Sequence, residues 1–347
     1  MHAVRSHHGA AAIGLLATAC LLISSPAYAT RGPGGSDGGV KTSGTRSGHT
    51  LESRITYSGS AGGTNGTSTG NVAPVGNWNP PACWYEPVSA KDFQNHVESQ
   101  YGEVVNDPGQ PNYAKAATGQ FRGIYKDGKY KNYNLDKADE GNWWVAIQDP
   151  NRLDDPDAFT CSRLPFWVQN GDTPAVQNAV TPKVLAELAY NRILLPDIEV
   201  TLAPQDVTKV NLPTWAWLDK AKFKEVSVTA SLNAAGVTIQ ATTTAKPVAL
   251  KLRPGTADAE TYPASGECTL NADDSIGEPY ARGKASQTPP CGIKYLRSSG
   301  NGTYSLKATV TWKINWTGTG GAGGELPDGT FGTAQDVTVQ EVQAVNR

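Results

Sequence analysis

The sequence predicts a mainly β protein, with a small α+β domain towards the N-terminus and an antiparallel β-sandwich at the C-terminal end. Three observations carry this. Between residues 304 and 316, Tyr304, Leu306, Ala308, Val310, Trp312, Ile314 and Trp316 occupy every second position, with Ser305, Lys307, Thr309, Thr311, Lys313 and Asn315 between them. Successive side chains of a strand point to opposite faces, so this is one long strand whose apolar face a second layer must cover. The same alternation recurs at Val226, Val228, Ala230 and Leu232, and at Val237, Ile239, Ala241 and Thr243. Finally, the chain holds 37 Gly and a single Met, the first residue, a bias that suits a β-rich protein of the cell exterior.

At 347 residues the chain has room for two domains. Residues 1–29 read as a secretory signal peptide. Arg5 supplies a weakly basic start, Ala10 to Ile23 an apolar run, and Ala27, Tyr28 and Ala29 a small-x-small cleavage site. The apolar run is too short to remain as a membrane anchor. A lipoprotein signal at Cys20 would want a larger aliphatic residue where Ala17 stands. The mature chain is therefore expected to start at Thr30, to be secreted and to have no membrane span. Thirty basic residues against thirty-two acidic, without a basic block, leave no electrostatic footprint for nucleic acid.

Residues 30–82 are rich in Gly, Ser and Thr and poor in large apolar groups, so a flexible, disordered segment is expected there. Leu51 to Tyr57 is its one stretch with strand character. Gly66 to Gly70 matches the G-x-S-x-G spacing around Ser68, but no buried strand precedes it and no helix follows, as a nucleophile elbow requires.

Downstream of the cleavage site stand Cys83, Cys161, Cys268 and Cys291. An even number in an exported chain predicts disulfides. Three connectivities are open; local pairing, Cys83 with Cys161 and Cys268 with Cys291, is favoured because it gives each domain its own bridge. No two of these cysteines have zinc-ligand spacing, and only His49 and His96 remain in the mature chain, so no metal is expected. Gly277 to Ser286 echoes a phosphate loop. It has five residues between its glycines, and Ala285 follows Lys284 where a hydroxyl is required, so no cofactor is expected either.

The α+β domain is placed at 83–218. Ser89 caps a helix carrying Phe93, Val97 and Tyr101, with Gly102 as its stop. His96 on that helix reads as a surface or packing residue rather than a base. Phe121 to Tyr125, Trp143 to Ile147 and Phe166 to Val168 read as strands between turn signals. Asp154 to Asp157 lack the spaced ligands of a calcium loop and read as a solvated turn. Thr181 and Pro182 open a second helix, with Val184, Leu185, Leu188, Ala189 and Ile193 on one face and Pro196 at its end. Extended stretches follow from Ile198 to Leu202 and from Val210 to Leu218. Trp215 and Trp217, two apart, would share one face of a strand, and Trp143 and Trp144 form a second pair. These four are the candidate aromatic binding surface; the competing reading packs them in the seam between domains.

Residues 219–347 carry six or seven short strands at sandwich spacing, with Gly318 to Gly324 as a hinge before the last, which runs through Val337, Val339 and Val342. Here Tyr295, the turn Ser298 to Gly302 and the strand Thr303 to Thr311 resemble the closing hairpin of PKD (polycystic-kidney-disease) domains, Ig-like sandwiches common on extracellular proteins. Leu250 to Thr256 stand where that family carries an aromatic-Asp-x-Gly-Asp-Gly turn, which makes the chain a divergent relative. Over about 180–347 a wider set of segments is similar to a group of secreted actinobacterial proteins without an established activity. They are Leu195 to Ile198, Val210 to Trp215, the loop from Cys268 to Cys291, Trp312 to Gly318 and Val339 to Val345. The resemblance implies an exported protein with a PKD-like C-terminal domain. It carries no catalytic residues over.

No stretch combines a nucleophile, a base and an orienting partner, so no catalytic residue is assigned. The expected function is a non-catalytic binding or structural module of the cell exterior. Its partner would be an extracellular protein or a cell-envelope polysaccharide. The alternative is a secreted hydrolase whose carboxylate pair converges within residues 83–210, since a glycosidase needs only two carboxyls at the right separation. Leu326 to Thr330 has the wrong order for a sortase signal, which favours free secretion.

Overall fold

The computed structural model describes residues 53–59, 69–196, 200–218 and 224–342. The expected signal peptide and Ser68 of the elbow-like motif lie outside the described residues.

Strands β1 (Ile55–Gly59), β2 (Thr69–Asn71) and β3 (Ala73–Pro74) precede β4 (Cys83–Val88). Two helices follow, α1 (Ala90–Asn106) and α2 (Asn112–Lys126), then β5 (Gly141–Gln148) and β6 (Phe166–Gln169). Helix α3 (Pro182–Tyr190) leads into β7 (Leu194–Pro196), β8 (Thr201–Ala203), β9 (Val207–Lys209) and β10 (Pro213–Leu218). The long strands β11 (Val226–Ala234) and β12 (Val237–Arg253) come next. Short strands β13 (Ala259–Tyr262), β14 (Glu267–Thr269), β15 (Ile276–Gly277) and β16 (Gly292–Tyr295) then precede β17 (Tyr304–Gly318) and β18 (Gly323–Gln340). The chain is mainly β, as its alternation predicts.

The main sheet runs β1-β11-β12-β17-β18-β3, and β17 sits inside it between β12 and β18. Along β17 the even-numbered residues from Leu306 to Trp316 are all buried, and none of the odd-numbered ones is. Two different layers cover the apolar face. Over one half lies α3, packed on β11, β12 and β17, with the Thr243 hydroxyl donating to the Ala186 carbonyl at 2.8 Å. At the other half the sheet β13-β16-β10-β15 is tied on by the Cys268–Cys291 bridge and by Tyr295, stacked on Tyr304 with centroids 5.4 Å apart. A strand that must serve both layers is long. That is why β17, expected to be long, has 15 residues, and why β12 has 17 where short strands were expected.

The smaller sheet, β4-β5-β6, carries α1 and α2 on one face. Phe93 and Tyr125 of these helices close on Trp143, with ring centroids 4.6 and 5.1 Å away. Ser89 caps α1 as expected, its hydroxyl accepting from the Asp92 N–H at 3.1 Å. The cap limits one of the unpaired donors at the helix start.

Several expectations are corrected. Phe121 to Tyr125 lie in α2, not in a strand: Phe121 and Tyr125 are four apart, and that spacing puts both rings on one helical face, 5.0 Å between centroids. Helix α1 continues past Gly102 to Asn106, and α3 ends at Tyr190, six residues before Pro196, because Leu194–Pro196 leaves to pair with β2. Within residues 30–82, where a disordered segment was expected, the described residues include strands. Ile55–Gly59 adds a strand to β11 in register Ile55 with Leu232, and Ala73–Pro74 pairs with β18. Nor does packing respect a boundary between 218 and 219. Strand β10 pairs with β15 and β16, and α3 belongs to the core of the main sheet.

Candidate functional site

The expected aromatic surface is not a surface. Trp143 is 0% exposed, Trp144 7% and Trp215 2%, and only Trp217 is half-buried. Trp143 sits under α1 and α2, its indole N–H donating to the Tyr133 carbonyl at 2.8 Å. Trp215 and Trp217 share a strand face as expected, but the loop between Cys268 and Cys291 folds over Trp215. Tyr280 lies 5.9 Å from its ring and the Lys284 ammonium 5.3 Å above it. Large rings bury more apolar area than any other side chain, and the nearby elements close on them first. This correction removes the platform formed by Trp143, Trp144, Trp215 and Trp217.

What the structure offers instead is a cleft of about 810 Å³ against the edge of β4. One wall is the segment from Trp78 to Ala82; another is the loop from Asp157 to Arg163, and α3 closes the third side through Lys183 and Glu187. Residues 178–180 run alongside β4, with the Tyr85 N–H donating to the Asn178 carbonyl at 3.0 Å and the Val180 N–H to the Tyr85 carbonyl at 3.0 Å. The Cys83–Cys161 bridge pins the loop to β4. The Arg163 N–H, donating to the Tyr85 hydroxyl at 3.0 Å, pins it again.

Trp78 is the more exposed of the two aromatics that line this cleft, the other being the buried Tyr85. Trp78 is half-buried, with its edge against Tyr190 at 5.1 Å. Asn79, Gln177 and Asn178 also line the cleft, the Asn178 amide donating to the Cys83 carbonyl at 3.3 Å. Two acids, Asp157 and Glu187, and two bases, Arg163 and Lys183, balance the charge. Burial pushes the Glu187 carboxyl above the usual carboxylate range, and Lys183, 3.9 Å away, opposes it only in part.

A second buried carboxylate is spoken for. Glu86, 2% exposed, accepts from Ser53, from the Arg54 N–H at 2.9 Å and from the Trp84 indole at 2.6 Å. Burial raises its pKa despite those donors. It fastens the start of β1 to β4, an anchoring task that leaves no oxygen aimed at solvent. His96, the one histidine of the described residues, is drawn down to about 4 by burial, against a weaker pull from Glu103. At neutral pH it is uncharged. Both expected disulfides are present, Cys83–Cys161 and Cys268–Cys291. The acidic run at 154–157 forms a turn and a short 3₁₀ helix, in which Asp155 accepts from the Asp157 N–H at 2.9 Å. Among the described residues no group of three or more His, Cys, Asp or Glu is placed to hold a metal ion, and no helix is long and apolar enough to cross a membrane.

Sequence reasoning passed over Trp78, Arg163, Asn178 and Glu187. The usable signal was Trp78 itself, a tryptophan ahead of Pro80 and Pro81 with no alternating neighbours to bury it. No protein-family model matches this chain, and neither a curated protein nor a solved structure matches it.

Proposed function

We propose that this is a non-catalytic binding module, secreted to the cell exterior, that takes a polysaccharide of the cell envelope in the cleft beside β4. The observation that carries the reading is a cleft lined by the half-buried Trp78, by three amides and by a balanced set of charges. A pyranose presents a C–H face to an aromatic ring and a rim of hydroxyls to amides. Ligand sites in general pair an apolar surface with a few fixed polar groups in this way. The two disulfides and the resemblance of residues 295–311 to an extracellular sandwich family support the location.

The test is retention on insoluble envelope glycans, followed by titration with soluble fragments. Trp78→Ala is expected to weaken binding on the order of tenfold, as removal of a central aromatic does. Wild-type affinity in that variant overturns the assignment of the cleft. Retention by envelope proteins stripped of glycan, with none by the glycan, overturns the choice of ligand.

One observation favours a second reading, a hydrolase. Asp157 and Glu187 line the same cleft, and the raised pKa of Glu187 is what a general acid needs. Release of reducing ends from a glycan by the wild type, abolished in Glu187→Gln, would establish it.

A further inference from the structure

The two disulfides sit in unlike surroundings. Cys268 and Cys291 are both buried between sheets. In the other bridge Cys83 is fully buried, while Cys161 is partly exposed and lines the cleft. The Cys83 sulfur also has two potential donors. The Cys161 N–H points at it from 3.0 Å, and the Thr160 hydroxyl lies 3.4 Å away. That hydroxyl has one proton, held at present by the Asp157 carbonyl at 2.8 Å. A thiolate at Cys83 would compete for it, since a charged acceptor forms the stronger bond.

We propose that Cys83–Cys161 is a thiol-exchange site, with Cys161 the sulfur attacked and Cys83 the leaving group. An external thiolate enters the cleft and forms a bond to Cys161 Sγ; the Sγ–Sγ bond breaks, and its electron pair leaves on Cys83. One disulfide is exchanged for another, with no net oxidation. A second thiolate can then take the mixed disulfide off Cys161. Exchange rates depend on which sulfur is reachable and on how well the departing thiolate is stabilised, and both select the same direction here. Burial alone would raise the pKa of Cys83; the N–H of Cys161 and the hydroxyl of Thr160 work against that. The cleft's charges, Asp157 and Glu187 against Arg163 and Lys183, cancel, so an anionic attacker meets no net repulsion. The proposal is independent of what else the cleft binds.

Glutathione is the probe. The folded protein is incubated with it under native conditions, free thiols are alkylated, and the peptides are mapped by mass. The expected result is glutathione on Cys161, alkylation on Cys83, and Cys268 still bonded to Cys291. Glutathione on Cys83, or both bridges opening together only as the protein unfolds, overturns the proposal. Thr160→Val keeps the bridge and the bulk of the side chain but removes the hydroxyl. It should form the mixed disulfide several-fold more slowly at an unchanged melting temperature. An unchanged rate in that variant overturns the role given to Thr160 and leaves the peptide map to decide the direction of attack.

Discussion

The path β1-β11-β12-β17-β18-β3 of the main sheet and the smaller sheet of β4, β5 and β6 are both antiparallel, yet they follow different rules. In β17 one face is buried and the other is not. In β4 all six residues are buried, and in β5 Trp143, Trp144 and Val145 are buried in succession. The reason is cover. The even face of β17 meets α3 and the second sheet, while its odd face carries Lys307, Lys313 and other polar groups. Strand β5 meets α1 and α2 with Trp143. On its other face Asn142 reaches the turn between β11 and β12, donating to the Ala235 carbonyl at 3.0 Å. The difference teaches that alternation reports a half-covered sheet only. A strand enclosed on both faces has no such signature.

The largest expected effect separates the two bridges. Cys83 and Cys161 close 78 residues and Cys268 and Cys291 close 23. On the chain-entropy account, replacing the first pair by Ser costs about 4–5 kcal/mol and the second about 3–4. Denaturant unfolding of the two double variants checks the order, and a reversed order would show that native contacts outweigh loop closure.

A substitution scan breaks or sharpens the contrast of faces. Ile314→Ala in β17 is expected to cost about 2–5 kcal/mol, and its neighbour Lys313→Ala less than about 0.5. In β5 the neighbours Trp143→Ala and Trp144→Ala should both cost about 3–5 kcal/mol, because both faces are enclosed. If Trp144→Ala is as mild as Lys313→Ala, the two sheets obey one rule after all.

The smallest effect is the pH dependence that the helical side of the small sheet contributes. His96 titrates near 6.5 when unfolded and at about 4 when folded. As pH falls the unfolded chain takes up this proton first, so stability is full above about pH 6.5 and declines towards 4. Glu98 moves the other way. Burial would raise it, but hydrogen bonds from Arg122, Tyr133 and Lys126 together hold it at about 2. Its contribution is present above about 4.5 and fades as pH falls towards 2. His96→Gln should flatten the upper window of a melting-temperature profile and leave the lower one unchanged; loss of both, or of neither, contradicts this assignment.

Much of the fold was legible because its causes are local. The alternation of Tyr304 to Trp316 and the caps at Ser89 and Thr181 each follow from neighbours in the chain. Phe121 and Tyr125 misled because a short apolar run fits a helix and a strand alike, and only contact with Phe93 and Trp143 chooses between them. Ile55 to Gly59 was legible only in part, as the end of the stretch Leu51 to Tyr57: a strand with little apolar content is held by the edge of β11 that it completes.

The cleft belongs wholly to the tertiary structure. Trp78, Cys161, Asn178 and Glu187 come from four separate segments, and no spacing along the chain connects them. The raised pKa of Glu187 and the burial of Trp215 are likewise products of what lies across space. Backbone periodicity is written residue by residue, so pattern alone marks the amphipathic strands and the helix caps. A cavity and its electrostatics depend on which distant surfaces meet, and that is decided only when the layers close.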